Sequence, residues 1–460
     1  MLLRYNSHAS ISLTSQNKIL ITDPWFYEPI YGGMMWQYPR SKISIDQYLE
    51  ADYIIISHFH PDHFCTKTLD HYDTSKIKLL IPDNKSMRSV SQFLDQKGFE
   101  YYFVKDKESF NLDNIFEVTF YCSDNNVDSV QVISEKTSGK SIFNMNDCFL
   151  SNKQIDIISN SHNISHAMVF FMGVGPYPGS FDLPLEKKLE IIKDKEESDF
   201  KRALNIIKRL KVSSYTAYSN DMTWLRRLDL VRINGSLKSK FYKFVNKLIP
   251  NIKDIPLESG DSYCLETSKV NIKTSLINDK SKILSEVKEL RSKSLLNLQI
   301  KKIEEAEKSF QFNLPQFYND MKKLHNIFNT EIKNKILHTK KRYPDHLNQS
   351  FDSLIYRIKI VLDPEGYIAL LSYDFEDHYL ELSLDNSTKK NVDLNLSLPS
   401  YLWAALQNNF YSSEDLMNCR FFILREGPYT EVEDAFWDAF SRLSRKNKTK
   451  ISEYQELALD

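Results

Sequence analysis

A short apolar run that leads straight into a dense cluster of metal-binding side chains constrains this chain more than any other feature. Tyr53-Ile54-Ile55-Ile56 is unbroken and mostly β-branched, the pattern of a strand buried on both faces. It runs into Ser57-His58-Phe59-His60-Pro61-Asp62-His63-Phe64, where His58 to His63 set three imidazoles and one carboxylate within six positions. A loop at the carboxyl end of a strand lets such side chains converge without helical spacing. His58 and His60 share a direction if the extended geometry continues one step. Asp62 and His63 then fall on the turn and face a second point. Imidazole and carboxylate together serve zinc, iron or manganese. A merely polar surface loop does not gather four ligand-type residues in this way. The run is therefore read as a site for two neighbouring divalent ions, with His58, His60, Asp62 and His63 as ligands.

The order His-x-His-x-Asp-His after a buried strand resembles the signature of the metallo-β-lactamase fold. That resemblance implies an α/β chain built as an αββα sandwich, and it says much more about metal binding than about the reaction. It also implies ligands elsewhere. Asp147, just past the strand at Ser141 to Met145, stands where the fold places a carboxylate bridging both metals. The preceding loop, Cys122-Ser123-Asp124-Asn125-Asn126-Val127-Asp128, lacks the histidine usual there. Asp124 is the best-placed substitute and Asp128 the second. The last histidine of the fold is replaced in Tyr218-Ser219-Asn220-Asp221, where Asp221 is expected to serve; the alternative is a mononuclear site. Carboxylates at these places harden the site, so two divalent ions are expected, iron ahead of zinc or manganese. His8, in Asn6-Ser7-His8-Ala9-Ser10, matches a His-Ala start found near the site in subfamilies of the fold. It is expected near the site as a substrate-facing or supporting group, and Asp62 and His8 are the two expected catalytic residues. Asp23 is expected to brace the metal loop by hydrogen bonding.

The chain has 460 residues, enough for two or three domains. Alternating or apolar runs predict strands at Ser10 to Thr14, Lys18 to Thr22, Lys78 to Ile81, Phe116 to Tyr121, Ser129 to Ser134, Ala167 to Phe171 and Ser213 to Ala217. Helical patterns fill Ser86 to Lys97, Leu185 to Leu210 and the basic stretch Leu225 to Asn251. From Ser281 to Lys341 the chain is charged and helical in period. Strands then return at Leu354 to Leu362, Tyr367 to Tyr373, Tyr379 to Leu384 and Asp393 to Leu398, with helices near Leu402 to Asn408 and Thr430 to Leu443. These patterns divide the chain into a metal-binding catalytic domain, 1–270, and a helical segment with a C-terminal α+β domain, 271–460. A net charge of −1 offers no field that would recruit nucleic acid or an anionic membrane. The lysines between Ser281 and Lys341 are interleaved with acids, as on a solvated helical face. No apolar stretch approaches a membrane span, and the first residues lack the basic and apolar regions of a signal peptide. The five scattered cysteines read as reduced thiols in a cytoplasmic protein.

A narrower resemblance joins several of these pieces. Thr22-Asp23-Pro24-Trp25-Phe26, Tyr31-Gly32-Gly33-Met34-Met35-Trp36, Asp52 to His58, Asn146-Asp147-Cys148, Arg420 to Arg425 and Phe436 to Phe440 together resemble the catalytic part of the CMP-N-acetylneuraminate hydroxylase family. The resemblance implies a diiron oxygenase acting on a small polar molecule. That family also carries a Rieske iron–sulfur module, and this sequence contains no Cys-x-His and Cys-x-x-His pair. Electrons would then come from a separate electron-transfer protein or from the substrate itself. A hydrolase using metal-activated water on an ester, lactone, amide or phosphoester is the alternative. A non-catalytic metal-binding scaffold or sensor is a third reading, kept open by the histidines missing at two places. Trp36, Tyr38, Arg40 and Tyr177 are the expected walls of a substrate pocket, with the loop Gly173 to Gly179 closing over it.

Overall fold

The computed structural model describes residues 1–460 apart from 32, 89, 124–126, 174–177, 234–236, 274–275, 277–279, 343–354, 375–376, 378, 385–391, 418–421, 426–430, 444–455 and 458–460. Two large sheets face one another in the N-terminal part. One has eight strands, in the order Val270–Asn271, Ser262–Cys264, Leu2–Ser7, Ser10–Ser15, Lys18–Thr22, Tyr53–Ile55, Lys78–Pro82 and Glu100–Val104. The other has seven, in the order Lys253–Asp254, Ser214–Tyr218, Ile164–Phe170, Ser141–Asn144, Ser129–Glu135, Phe116–Cys122 and Ser109–Leu112. Leu2–Ser7 lies inside the first sheet although Leu2-Leu3 interrupts a simple alternation. Leu3 and Tyr5 face the core, and Leu2 is left on the surface.

The strand Tyr53–Ile55 shows why the run is wholly apolar. Tyr53 and Ile55 point between the sheets, against Val118, Phe120, Ile133 and Ile142. Ile54 and Ile56 point outward, beneath Tyr48, Leu69, Phe93 and Leu94 from the helices covering that face. A strand covered on both faces needs no polar side. The outer face of the second sheet is likewise covered by the helices Asn152–Ser161, Leu185–Leu210 and Lys238–Leu248. In Leu185–Leu210, Ile192, Phe200, Ala203, Leu204 and Ile207 fall on the buried stripe. The result is helix, sheet, sheet, helix: an αββα sandwich of the α/β class. Within the basic stretch expected to be helical, Leu225 to Asn251, the described helices are Leu228–Ile233 and Lys238–Leu248.

Beyond residue 279 come the helices Lys280–Ser292, Ser294–Ser309 and Leu314–Arg342, and a five-stranded sheet in the order Tyr379–Ser383, Tyr367–Asp374, Ile355–Asp363, Leu394–Pro399, Phe422–Arg425. Tyr356, Ile358, Ile360 and Leu362 alternate onto one face. Phe317, Met321, Leu324, Phe328 and Ile332, spaced by three or four residues along Leu314–Arg342, pack against that core. The charged helical segment therefore has a buried stripe as well as a solvated face.

The strand ends define where chemistry can gather. His58 follows Tyr53–Ile55, Asp23 follows Lys18–Thr22, Asp147 follows Ser141–Asn144 and Ser219 follows Ser214–Tyr218. In sheets of this kind, ligands collect beyond the carboxyl ends of the strands.

Candidate metal centre

Three overlapping groups of side chains converge at that edge. His58, His60 and Asp128 form one, His58, His63 and Asp147 a second, and His8, Asp62 and His63 a third; within each, the donor atoms lie within 4.8 Å of one another. Asp147 joins the two ends of the cluster. Its Oδ1 is 3.7 Å from His58 Nε2 and its Oδ2 is 3.6 Å from His63 Nε2. One oxygen thus faces each half, the disposition of a carboxylate between two ions. His63 Nε2 is also 3.6 Å from Asp62 Oδ2. The buried atoms His63 Nε2, Asp147 Oδ1 and Asp128 Oδ1 make no hydrogen bond. Buried polar atoms are ordinarily paired, so this set of bare donors fits cations. The donor chemistry, imidazole nitrogens and carboxylate oxygens with no thiolate, suits iron, manganese or zinc.

The layer behind the donors explains their orientation. The Asp23 carboxylate accepts from Ser57 N (2.7 Å) and Ser57 Oγ (2.6 Å) and is 2.9 Å from His63 Nδ1. Since the Ser57 hydroxyl proton goes to Asp23, His58 Nδ1, 2.9 Å from Ser57 Oγ, is the donor in that contact. Both His58 and His63 then turn an Nε2 lone pair towards the centre, the usual arrangement of a metal-ligating imidazole. Behind Asp147, Asn146 donates through Nδ2 to Ser129 O (3.1 Å) and Gln131 Oε1 (2.8 Å), and its N–H donates to Tyr218 Oη at 2.6 Å. Ser129 Oγ donates to Ser57 O at 2.7 Å, tying the second sheet to the histidine loop of the first.

Backbone strain concentrates here. His8, Asp23, Tyr31, Asn146 and Ser219 have φ of 49°, 40°, 49°, 53° and 64°. Left-handed conformation costs a non-glycine residue roughly 1–2 kcal/mol, and such residues cluster where function holds them. Asp23→Ala removes the partner of both Ser57 and His63. Apparent metal affinity is expected to fall about 10–100-fold, read by competition with a chelating dye. Unchanged affinity would show that Asp23 supports the fold alone.

The electrostatics match. Burial and the neighbouring His63 and His60 push His58 well down, so it is a neutral imidazole. Burial opposes ionisation of Asp147, but His58, His63 and His60 outweigh it and hold the carboxyl well below its usual range. Burial also works against Asp62, and His63 and His8 overcome it in the same way. For His63, burial is outweighed by Asp147, Asp62 and Asp23, which raise it well above the ordinary imidazole range. Burial, and after it the neighbouring Asp147 carboxylate, push Asp128 up to about 6.

The structure thus brings together His58, His60, Asp62, His63 and Asp147, with His8 against them. Asp124 and Tyr177 lie outside the described residues. Asp128, ranked second in the sequence, is the carboxylate that reaches His58 and His60. The tight closure of its loop, where Ser123 N donates to Asp128 O at 2.9 Å, sets it at the root of the strand Ser129–Glu135. Asp221 is placed elsewhere: its Oδ1 is 3.0 Å from Lys238 Nζ and its Oδ2 accepts from Tyr5 Oη. Trp36 is not a pocket wall. It is fully buried against Leu225, Val231, Val287 and Ile300, and its Nε1 donates to Gly33 O at 3.3 Å. Tyr38 Oη bonds to Glu286, and the Arg40 guanidinium pairs with the buried Glu28 carboxylate. Sequence reasoning missed Tyr31, whose hydroxyl donates to Asp62 Oδ1 at 3.1 Å. Its signal was the aromatic loop, but which ring would turn inward depends on the local φ. His166 is a core histidine bonded to Ser214 and Thr216, as its position in a strand implies.

Residues 2–162 match the family described as Beta-lactamase superfamily domain. Residues 2–162 are thus similar to that superfamily, and the two facing sheets with helices on both outer faces form the metallo-β-lactamase fold. Beyond the superfamily, the chain is 30% identical over 97 residues to the cytidine monophosphate-N-acetylneuraminic acid hydroxylase of Danio rerio, covering 21% of this chain and 16% of that one. It is 27% identical over 192 residues to a protein of Mycolicibacterium smegmatis named for a Rieske 2Fe-2S iron–sulfur centre, covering 39% and 36%. Among the curated relatives, the matches span between 16% and 40% of their length. A metallo hydrolase of Ignicoccus hospitalis aligns with a TM-score of 0.41 at 17% identity, over 57% of this chain and 96% of that one. A diiron β-hydroxylase of Streptomyces venezuelae aligns with a TM-score of 0.40 at 16% identity, over 56% and 53%. Among the described residues, no helix is long and apolar enough to cross a membrane.

Proposed function

We propose that this chain is a metal-dependent oxygenase holding two divalent ions, with iron the expected metal, and that it oxidises a small polar molecule with electrons from a separate protein. The observation that carries this reading is the carboxylate-rich donor set: Asp128 stands beside His58 and His60, and Asp147 faces both halves of the centre. Such a set is harder than a histidine-only one and favours iron over zinc. The relatives named as hydroxylases, similar in sequence over about a fifth of the chain, support the same choice. Bound iron would supply redox chemistry towards dioxygen, which no side chain here provides.

The chain's own residues define the rest. His58, His60 and Asp128 would hold one ion, Asp62 and His63 the other, and Asp147 both. Asp23 and Ser57 fix the imidazole orientations, and Tyr31 holds Asp62 in place. Trp25 packs edge to face on the His8 ring and belongs, with Met34 and Met145, to a buried apolar cluster. The Cys148 thiol next to Asp147 is buried and pushed well up in pKa by that burial, so it stays a neutral, apolar neighbour.

Metal analysis of the purified full chain, with oxygen uptake on adding a reductant, tests this reading. Two irons per chain with reductant-dependent uptake are expected. Zinc alone, with cleavage of an ester or lactone panel and no uptake, would replace the oxygenase by a hydrolase. Asp128→Ala is expected to lower metal content to about one ion. The same loss in Asp124→Ala, with full content in Asp128→Ala, would exchange the two residues.

A further inference from the structure

His8 lies on the tight connection between the strands Leu2–Ser7 and Ser10–Ser15, after a register slip between Tyr5 and Ser7. Its side chain is 2% exposed, and its ring meets Trp25 edge to face. Nε2 is 3.1 Å from Asp62 Oδ2, the same oxygen that lies 3.6 Å from His63 Nε2. Two donors each about 2.1 Å from one ion lie roughly 3.0–3.4 Å apart, close to these edges. His8, Asp62, His63 and the near oxygen of Asp147 therefore outline one coordination shell.

The loop expected to complete that shell is otherwise engaged. Lys238 is fully buried between Asp221 (3.0 Å) and Glu258 (3.4 Å), with its ammonium 4.6 Å from the centre of the Tyr5 ring. Removing Asp221 from this arrangement would leave a buried cation half-compensated, which is costly. The loop instead holds His8. Ser219 N donates to His8 O at 3.0 Å, and Tyr5 Oη lies 3.0 Å from the same carbonyl while bonding to Asp221. Those contacts fix the left-handed turn that aims the imidazole inward.

We propose that His8 Nε2 is a direct ligand of the second ion, in place of Asp221. The buried Lys238, Asp221 and Tyr5 act as positioning residues that hold the His8 turn. The inference rests on the two-ion reading above.

The informative variant is His8→Gly. Glycine adopts φ near 49° without strain, so the backbone is kept while the ligand is lost. Zn(II) and, anaerobically, Fe(II) are titrated into the purified full chain, with ions counted by mass spectrometry. The wild type is expected to hold two ions and His8→Gly one, with the second at least about 100-fold weaker. Added imidazole, filling the vacated space, should restore the second. Circular dichroism and melting in chelator establish that the variant is folded. Tyr5→Phe should weaken only the second ion, about tenfold, without removing it.

Two ions in His8→Gly at unchanged affinity would overturn the inference, as would a wild type with a single ion that His8→Gly retains; both leave the metal reading standing. A wild type that binds neither metal overturns that reading itself. Loss of the second ion in Asp221→Ala with His8→Gly unaffected would return the ligand role to Asp221.

Discussion

Asp147→Ala is expected to strip the centre of both ions. The Asp147 carboxylate offers one oxygen to each half, 3.7 Å from His58 Nε2 and 3.6 Å from His63 Nε2. Loss of an outer supporting partner alone typically weakens a metal site 10–100-fold, so losing a shared donor should cost each ion more than about 100-fold. The effect is legible without a substrate. A ligand at a thousand times its dissociation constant adds about 4 kcal/mol to stability, so the wild type should melt several degrees higher with metal than with chelator. In Asp147→Ala that difference should vanish, together with activity. A metal-dependent rise in melting temperature equal to that of the wild type would place the ions elsewhere.

Arg226→Ala is the substitution expected to cost most in stability. The guanidinium meets Glu307 through two bonds, Nη1 to Oε1 at 2.9 Å and Nη2 to Oε2 at 2.8 Å, and Tyr411 Oη bonds to the same carboxylate. The two side chains are 5% and 2% exposed. Breaking a buried pair by removing one partner leaves the other charge uncompensated and costs about 3–5 kcal/mol. The pair joins the segment after Met222–Trp224 to the helix Ser294–Ser309. It also underlies the Tyr31 loop: a Cβ at Gly33 would meet Ile303 Cδ1 at 3.0 Å and Arg226 Nη1 at 3.6 Å. Urea unfolding of Arg226→Ala should show the loss, whereas Arg226→Met with Glu307→Leu should recover most of it. A single variant within about 0.5 kcal/mol of wild type, the range of ordinary surface changes, would show that the pair contributes little.

Some of this was legible in the residues themselves. The strand at Tyr53 could be read because burial on both faces leaves an unbroken apolar run. The cluster of His58, His60, Asp62 and His63 could be read because a strand end brings sequence neighbours into one place. The helix Leu185–Leu210 followed from its period alone. The other half of the centre was harder to read. Asp128 reaches His58 and His60 through the way its backbone closes on Ser123, a contact that no local pattern gives. Asp221 and His8 are placed differently: a buried lysine, seventeen residues after Asp221, claims the aspartate, whereas His8 Nε2 lies 3.1 Å from Asp62 Oδ2. Trp36 looked like a pocket wall because nothing in its local sequence shows that helices 250 residues later cover it.

What the sequence by itself determined is the metal-binding loop, the sandwich that carries it and the periodic elements around it, because those depend on neighbours along the chain. What only the tertiary structure decided is which distant carboxylates and imidazoles complete the centre. That choice depends on register, on left-handed turns at His8, Tyr31 and Asn146, and on which buried charges have already paired with one another. These are long-range contacts, and no local pattern encodes them.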